Sequence, residues 1–481
     1  MVGVPGRSKG CNTCRKRKKG CDLARPACGQ CRKSAIECAG YDRPRTFVNF
    51  TNTGASSDRD PDTAVIRRDD QNLTANATIA LPGSLARGAY EVRYLELFWG
   101  AYMPTTRDLG VHLTYVNPSW ADAANELYPA DDTLRTAMLS LGLATLGRRD
   151  GQRWMINEGL GCYVRSLRQM SDRLRQPHGW RSDSLLAASK ALGLYELLYG
   201  ADDRSSQAKN WQSHNKGEQA LILQRSPEMY TQGHARLLFI SARMHIIIHC
   251  IIKRQRCPLS TLQWKRIPFT NTPKTHKDAL LDILADIPSL LEDMDTLRQI
   301  QYLDSPSHHD KRLVMMQECW RLDSELTRWF NMYGPQTQLD ELRERKFRND
   351  DLLLSDFVVA HIMGIYWAAC ILVYSTLQSV SMLHNGDGEV ALPERAELMQ
   401  YCQHVAYIAE VLLHPSAGVF GMHSAPLPVG VALMCVNSME QSSGSTSPEK
   451  RRLLDLFNMN QGRGNDLGKF LASAMKDVDR L

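Results

Sequence analysis

Apolar residues recur at helical spacing from about residue 85 onward, and they do not before it. Residues 91–103 (EVRYLELFWGAYM) form an aromatic-rich amphipathic segment. Asp131, Asp132 and Thr133 supply N-cap candidates for a helix with Leu134, Met138, Leu141 and Thr145 on one face. Residues 185–199 are apolar nearly all round, the pattern of a buried helix, and residues 236–252 carry a second apolar run ending near Ile246-Ile247-Ile248. Residues 278–295, 311–330 and a final stretch near 451–480 continue the period, and Ser442 to Pro448 reads as a loop before the last of these. No alternating strand pattern, hairpin signal or glycine-rich phosphate loop interrupts them. At the usual length of about a dozen residues per helix, the pattern predicts an all-α domain of roughly 12–18 helices over residues 85–481.

Four segments invite sharper readings. Residues 357–377 are long and apolar enough to cross a bilayer. One such run in a polar chain is better explained as a central bundle helix, with His361 as a hydrogen-bonded core histidine and no membrane partner. The acidic, apolar stretches 278–295 and 350–357 could pass for activation segments. Their helical spacing instead favours two helices broken at Pro288, with Asp350 and Asp351 capping the next. His308-His309-Asp310, just after Pro306, reads as a surface loop rather than a metal site.

Residues 46–84 show neither a 3.5 nor a 3.6 period and are rich in Thr, Asn, Asp, Ala and Ser, which predicts a disordered linker. It lacks a heptad run, so paired copies would have to associate through another surface, and a monomer is the other outcome.

Charge separates the chain further. The 481 residues carry a net +6, yet residues 1–50 hold twelve Lys/Arg against three Asp/Glu, while the remaining 431 balance 46 against 49. A compact positive head on a near-neutral body is the electrostatic footprint of nucleic-acid binding.

That head contains six of the thirteen cysteines, Cys11, Cys14, Cys21, Cys28, Cys31 and Cys38. They form C-x2-C-x6-C twice at an offset of 17 residues, each copy with Arg-Lys after its second cysteine (Arg15-Lys16, Arg32-Lys33). A C-x2-C pair lets two thiolates reach one metal from a tight turn. Two tetrahedral zinc ions need eight bonds, and six thiolates supply eight if two of them bridge. A disulfide framework would require an oxidising compartment, and MVGVPGRSKG has no apolar core of a secretory signal. The other seven cysteines are scattered without ligand spacing and fit a reducing compartment. A module this small and polar cannot hold itself together without metal, so the two Zn2+ are expected to be structural, with every coordination position taken by sulfur and none open for catalysis.

This six-cysteine pattern resembles the fungal binuclear zinc-cluster transcription factors and matches them at every cysteine, over residues 8–45. The resemblance implies that Cys11 and Cys28 bridge the metals. It also implies that Lys18, four residues past the second cysteine and flanked by Arg17, reads guanines of a CGG triplet in the major groove of double-stranded DNA. Arg15, Lys16, Lys19, Arg32 and Lys33 are then assigned to phosphates. Gly20 departs from the family pattern, which has lysine before the third cysteine. Weaker signs continue into the body: Phe98-Trp99, Trp211-x2-His214-x2-Gly217, and Gly233-x-Ala235-Arg236-x-Leu238-Phe239 followed by Arg243. They resemble the helical regulatory region that accompanies such heads. The implied whole is a nuclear regulator of RNA polymerase II transcription acting on a metabolic or secondary-metabolite gene set, its body contacting the transcription machinery or a small-molecule effector. A nuclear scaffold or co-repressor that binds protein or nucleic acid non-specifically is the competing expectation. With no readable catalytic motif, an enzyme is not expected.

Overall fold

In the computed structural model the described residues are 10–40, 83–102, 120–200, 204–300, 306–348, 350–382 and 392–443, with the isolated positions 448 and 451. Apart from Gly83 and Ser84, which open the first long helix, and Arg451, the expected linker and the helical stretch near 451–480 therefore lie outside the described residues. The chain divides into two compact units, Met1–Thr78 and Ile79–Leu481. No strand occurs among the described residues, so the fold is all-α.

The first unit holds two five-residue helices, α1 (Asn12–Lys16) and α2 (Gly29–Lys33). The second begins with α3 (Gly83–Tyr102), α4 (Trp120–Leu127), α5 (Asp132–Arg149), α6 (Arg153–Leu174), α7 (Asp183–Tyr199), α8 (Arg204–Leu223) and α9 (Gly233–Lys253). It continues through α10 (Leu262–Arg266), α11 (His276–Leu284), α12 (Ile287–Ile300), α13 (Pro306–Tyr333) and α14 (Gln336–Arg348). It closes with α15 (Leu354–Met382), α16 (Leu398–Leu412), α17 (Gly418–Ser424) and α18 (Pro426–Ser443).

Local chemistry sets several of these boundaries. Asp131 is the N-cap of α5, its Oδ1 accepting from Thr133 N and Leu134 N at 3.0 Å each, and Leu134, Met138, Leu141 and Thr145 are all buried behind it. Thr275 and Asp278 close a reciprocal capping box on α11. Pro288 does not itself mark the break between α11 and α12; it lies in the first turn of α12, where a missing N–H costs nothing. Asp350 and Asp351 do not cap α15 either. That role falls to Asp356, whose Oδ2 accepts from Leu353 N at 2.7 Å. His308 to Asp310, expected in a loop, belong to the first turn of α13.

Two bundles share one core. Helices α3 to α9 pack on one another around α5 and α7, while α15 is surrounded by α11, α12, α13, α14, α16 and α18. Burial of α15 is unbroken from Asp356 to Tyr374, so this apolar run is a core helix of the unit. At roughly 1.5–3 kcal/mol per fully buried large apolar side chain, α15 is the main anchor of its bundle. Helix α9 touches α11 and α12, and α17 touches α3, which joins the bundles. The second junction is close. Gly418 has φ +57, and a Cβ there would stand 2.5 Å from the Ala101 carbonyl oxygen of α3.

Candidate metal centre and nucleic-acid interface

The repeat in the first unit is a repeat of backbone as well as of cysteines. Cys14 N donates to Cys11 Sγ at 3.3 Å, and Cys31 N donates to Cys28 Sγ at 3.3 Å, so each copy opens with a sulfur accepting from the first turn of its helix. Each helix then ends the same way. Lys19 N donates to Cys14 O at 3.0 Å across Lys18, whose φ is +52, and Ile36 N donates to Cys31 O at 3.0 Å across Ala35, whose φ is +47. This is the left-handed helix terminus, here built on non-glycine residues. Lys18 and Ala35 are 17 apart, so the offset seen in the cysteines runs through to the conformationally special position.

Polar clasps hold the two copies together. Thr13 Oγ1 donates to Glu37 O at 3.0 Å and accepts from Ala39 N at 2.9 Å, and Asn12 N donates to Gly40 O at 2.9 Å. The Asp22 carboxylate accepts from Gly29 N at 3.0 and 2.9 Å. A Cβ at Gly29 would lie 2.3 Å from Asp22 Oδ2, so a larger residue there would displace that carboxylate from its clasp. The Arg25–Pro26 peptide is cis.

The buried side chains of this unit are sulfur. Cys11, Cys14, Cys28 and Cys31 are buried, and Cys21 and Cys38 pack against them. Sγ···Sγ separations are 3.6 Å for Cys11–Cys28 and Cys14–Cys28, 3.8 Å for Cys11–Cys31 and 3.9 Å for Cys14–Cys31. A disulfide would need about 2.05 Å. Two thiolates on one tetrahedral zinc, at about 2.3 Å per bond, stand about 3.8 Å apart, close to the spacing of Cys11–Cys28, Cys14–Cys28 and Cys11–Cys31. The sulfurs form two four-membered groups, Cys11, Cys14, Cys21, Cys28 and Cys11, Cys28, Cys31, Cys38, each with all ligand atoms within 4.8 Å of one another. Cys11 and Cys28 belong to both. The donor set therefore suits two tetrahedral ions joined by two shared sulfurs, and no ligand place is left over for water or substrate.

Burial, with hydrogen bonds to neighbouring thiols, pushes Cys14 well up and Cys31 up to about 12. Hydrogen bonds from the backbone of Cys28 and Gly40 bring Cys38 down to about 7. Crowded thiols of this kind give up their protons when a metal replaces them, so metal binding and folding of this unit are linked.

The candidate DNA contacts ring this centre. Lys16, Arg17, Lys18 and Lys19 are exposed at and beyond the end of α1, and Arg32 and Lys33 are exposed in the last turn of α2. Arg15 lies within α1, and its side chain is outside the described ones. Lys16 to Lys19, Arg32 and Lys33 make no ion pair with any described residue, which leaves their charge available to phosphate. Sequence spacing alone missed the left-handed conformation of Lys18 and the Asp22–Gly29 clasp. The first was recoverable from the 17-residue offset, which aligns Lys18 with Ala35.

Elsewhere the other seven cysteines are all buried and in no disulfide, and the described residues of the second unit gather no further metal-ligand cluster. His361, expected to be hydrogen-bonded, is buried with Nδ1 lacking a partner.

Residues 9–46 match the family model of the fungal Zn(2)-Cys(6) binuclear cluster domain. No curated protein and no solved structure matches the chain. The first unit is thus a binuclear zinc cluster that binds two zinc ions, and the chain is a zinc-dependent DNA-binding transcription regulator.

Proposed function

We propose that this regulator reads CGG-like triplets in the major groove through Lys18 and Arg17, with Cys11 and Cys28 bridging the two zinc ions. The ligands are Cys11, Cys14, Cys21, Cys28, Cys31 and Cys38. The observation that carries the reading is the contrast between the two copies of the repeat. They share ligands and the left-handed terminus, yet where the first has Arg17-Lys18-Lys19 the second has Ser34-Ala35-Ile36. The same backbone thus presents three cations on one side and none on the other, so the first copy recognises and the second supports. Lysine or arginine against guanine O6 and N7 is the commonest specific base contact. Lys16, Lys19, Arg32 and Lys33, with Arg15, fall to phosphates and set the register.

The domain plan that goes with this is a DNA-binding head over 8–45, a linker over 46–84 and a helical regulatory domain from 85 that sets activity at RNA polymerase II promoters of a metabolic gene set in the nucleus. Zinc here is structural, so no catalytic role is assigned to it. The test is Lys18→Ala in the full-length chain, titrated against a CGG duplex and a scrambled duplex over a range of salt. A loss of about 10–100-fold confined to the CGG duplex is expected, matching about 1–3 kcal/mol for one bidentate contact. Equal loss on both duplexes would make Lys18 a phosphate contact and overturn the assignment.

A further inference from the structure

The second unit holds a partly open cavity of about 110 Å³ where α3, α4, α9, α11, α15, α17 and α18 come together, on the seam between its two bundles. Its apolar lining comes from Ile240, Met244, Phe420 and Leu427. Its polar lining is unfinished. His361 and Ser424 are 5% and 3% exposed, and His361 Nδ1 and Ser424 Oγ are buried there without a hydrogen-bond partner. Lys277 lines the same cavity and makes no hydrogen bond or ion pair with a described residue; burial lowers its ammonium to about 8.

The surrounding charges are otherwise matched. Asp278 on the wall accepts from Arg243 Nη1 at 3.0 Å and from Thr275 N at 3.0 Å and Oγ1 at 2.7 Å. Asp282 is held by Arg243 and Lys274. In the recess next door Glu218 lies 3.8 Å from Lys190 and 3.3 Å from His245 Nδ1. Each described carboxylate near the cavity therefore already has its cation, and Lys277 is left over. Arg236, buried on α9 with Nε and Nη2 unpartnered, adds charge of the same sign. Leaving buried donors and a half-buried cation unmatched costs stability, and the void lined by His361, Ser424 and Lys277 has a deficit of negative charge and acceptors.

A chain of polar contacts leads away from the void. Lys190 Nζ stands 3.4 Å from His245 Nδ1, His245 Nε2 is 2.6 Å from His423 Nε2, and His423 Nδ1 is 3.4 Å from Tyr102 Oη on α3. His423 and Tyr102 line the cavity too, so its occupant touches groups on both bundles.

We propose that this cavity binds a small organic monocarboxylate, its acid group accepting from Lys277, Ser424 and His361 and its apolar body lying against Ile240, Met244, Phe420 and Leu427. At about 10–15 Å³ per water-sized position, the space admits roughly seven to eleven positions, the bulk of an acid with about that many non-hydrogen atoms. A phosphate would bring two charges to one unmatched lysine and no apolar group to Ile240, Met244, Phe420 and Leu427. By joining α3, α9 and α17 to α11 and α15, the acid is the effector of the regulatory unit; this last step rests on the proposed role of that unit.

The test is binding of hexanoate, benzoate and phenylacetate, each beside its amide, and of inorganic phosphate, to the zinc-loaded full-length chain without DNA, by calorimetry and thermal shift. At least one acid is expected to bind tenfold or more tighter than its amide and tighter than phosphate. Lys277→Met should abolish that preference while raising the melting temperature of the ligand-free protein, because an unmatched cation is removed; a purely structural lysine would lower it. Ser424→Ala, a milder change, should weaken the same acid several-fold. No acid exceeding its amide, or a preference that survives Lys277→Met, overturns the site. Because DNA is absent, its failure leaves the CGG reading untouched, and loss of CGG specificity leaves acid binding untouched.

Discussion

The two units are built on opposite physical principles. In the first, the buried side chains are cysteines and no apolar core exists among the described residues. In the second, eighteen consecutive positions of α15 after Asp356 are buried, and one apolar cluster runs from Leu95 to Val436. One unit is thus folded by ligand bonds and the other by area removed from water, and the same insult should affect only one of them.

Metal removal gives the largest effect. Structural zinc in such modules contributes about 10–16 kcal/mol at neutral pH. Dialysis against a strong chelator is therefore expected to erase α1 and α2 and lower DNA affinity at least 100-fold. The cooperative melting of the second unit, followed by calorimetry, should move by no more than about 2 °C. A collapse of both transitions would break the comparison.

A core deletion probes the converse. Leu377 on α15 is 0% exposed, and Leu377→Ala should cost about 2–5 kcal/mol of the second unit's stability through lost burial and the void left behind. Zinc content should stay at two ions per chain by elemental analysis.

The smallest expected change lies on the surface of the head. Gly20 has open space around its Cβ position and no positive φ, so Gly20→Lys restores the cation of the family pattern without strain. Affinity for any duplex should rise modestly, and the slope of log affinity against log salt should steepen by about 0.9.

The units also differed in how much could be read in advance. In the head the ligand spacing carries the fold, because metal geometry restricts the backbone; six donors and eight bonds require two shared sulfurs, and the family resemblance implied that these are Cys11 and Cys28. In the body, periodicity located α5, α7, α9 and α15, and of the three N-cap candidates it offered for α5 the structure uses Asp131. It did not place His308 to Asp310 in a helix, because Pro306 can open a helix as readily as it ends one. It misassigned the cap of α15, since Asp356 reaches back three residues where two preceding aspartates offered a simpler choice. The cavity was illegible, because Lys277, His361, Ser424 and Tyr102 are far apart in sequence and meet only where the bundles join. The Arg243–Asp278 pair was hidden for the same reason, with partners 35 residues apart.

The central claim is that the first copy of the repeat gives sequence recognition rather than charge alone. It is tested most directly by the ratio of full-length wild-type affinities for a CGG duplex and a duplex scrambled at that triplet, measured at several salt concentrations. With each mismatched pair worth about 1–3 kcal/mol, a ratio of at least about 100 that persists as salt rises is expected. A ratio near one, with both affinities falling together along a steep salt slope, would contradict the account.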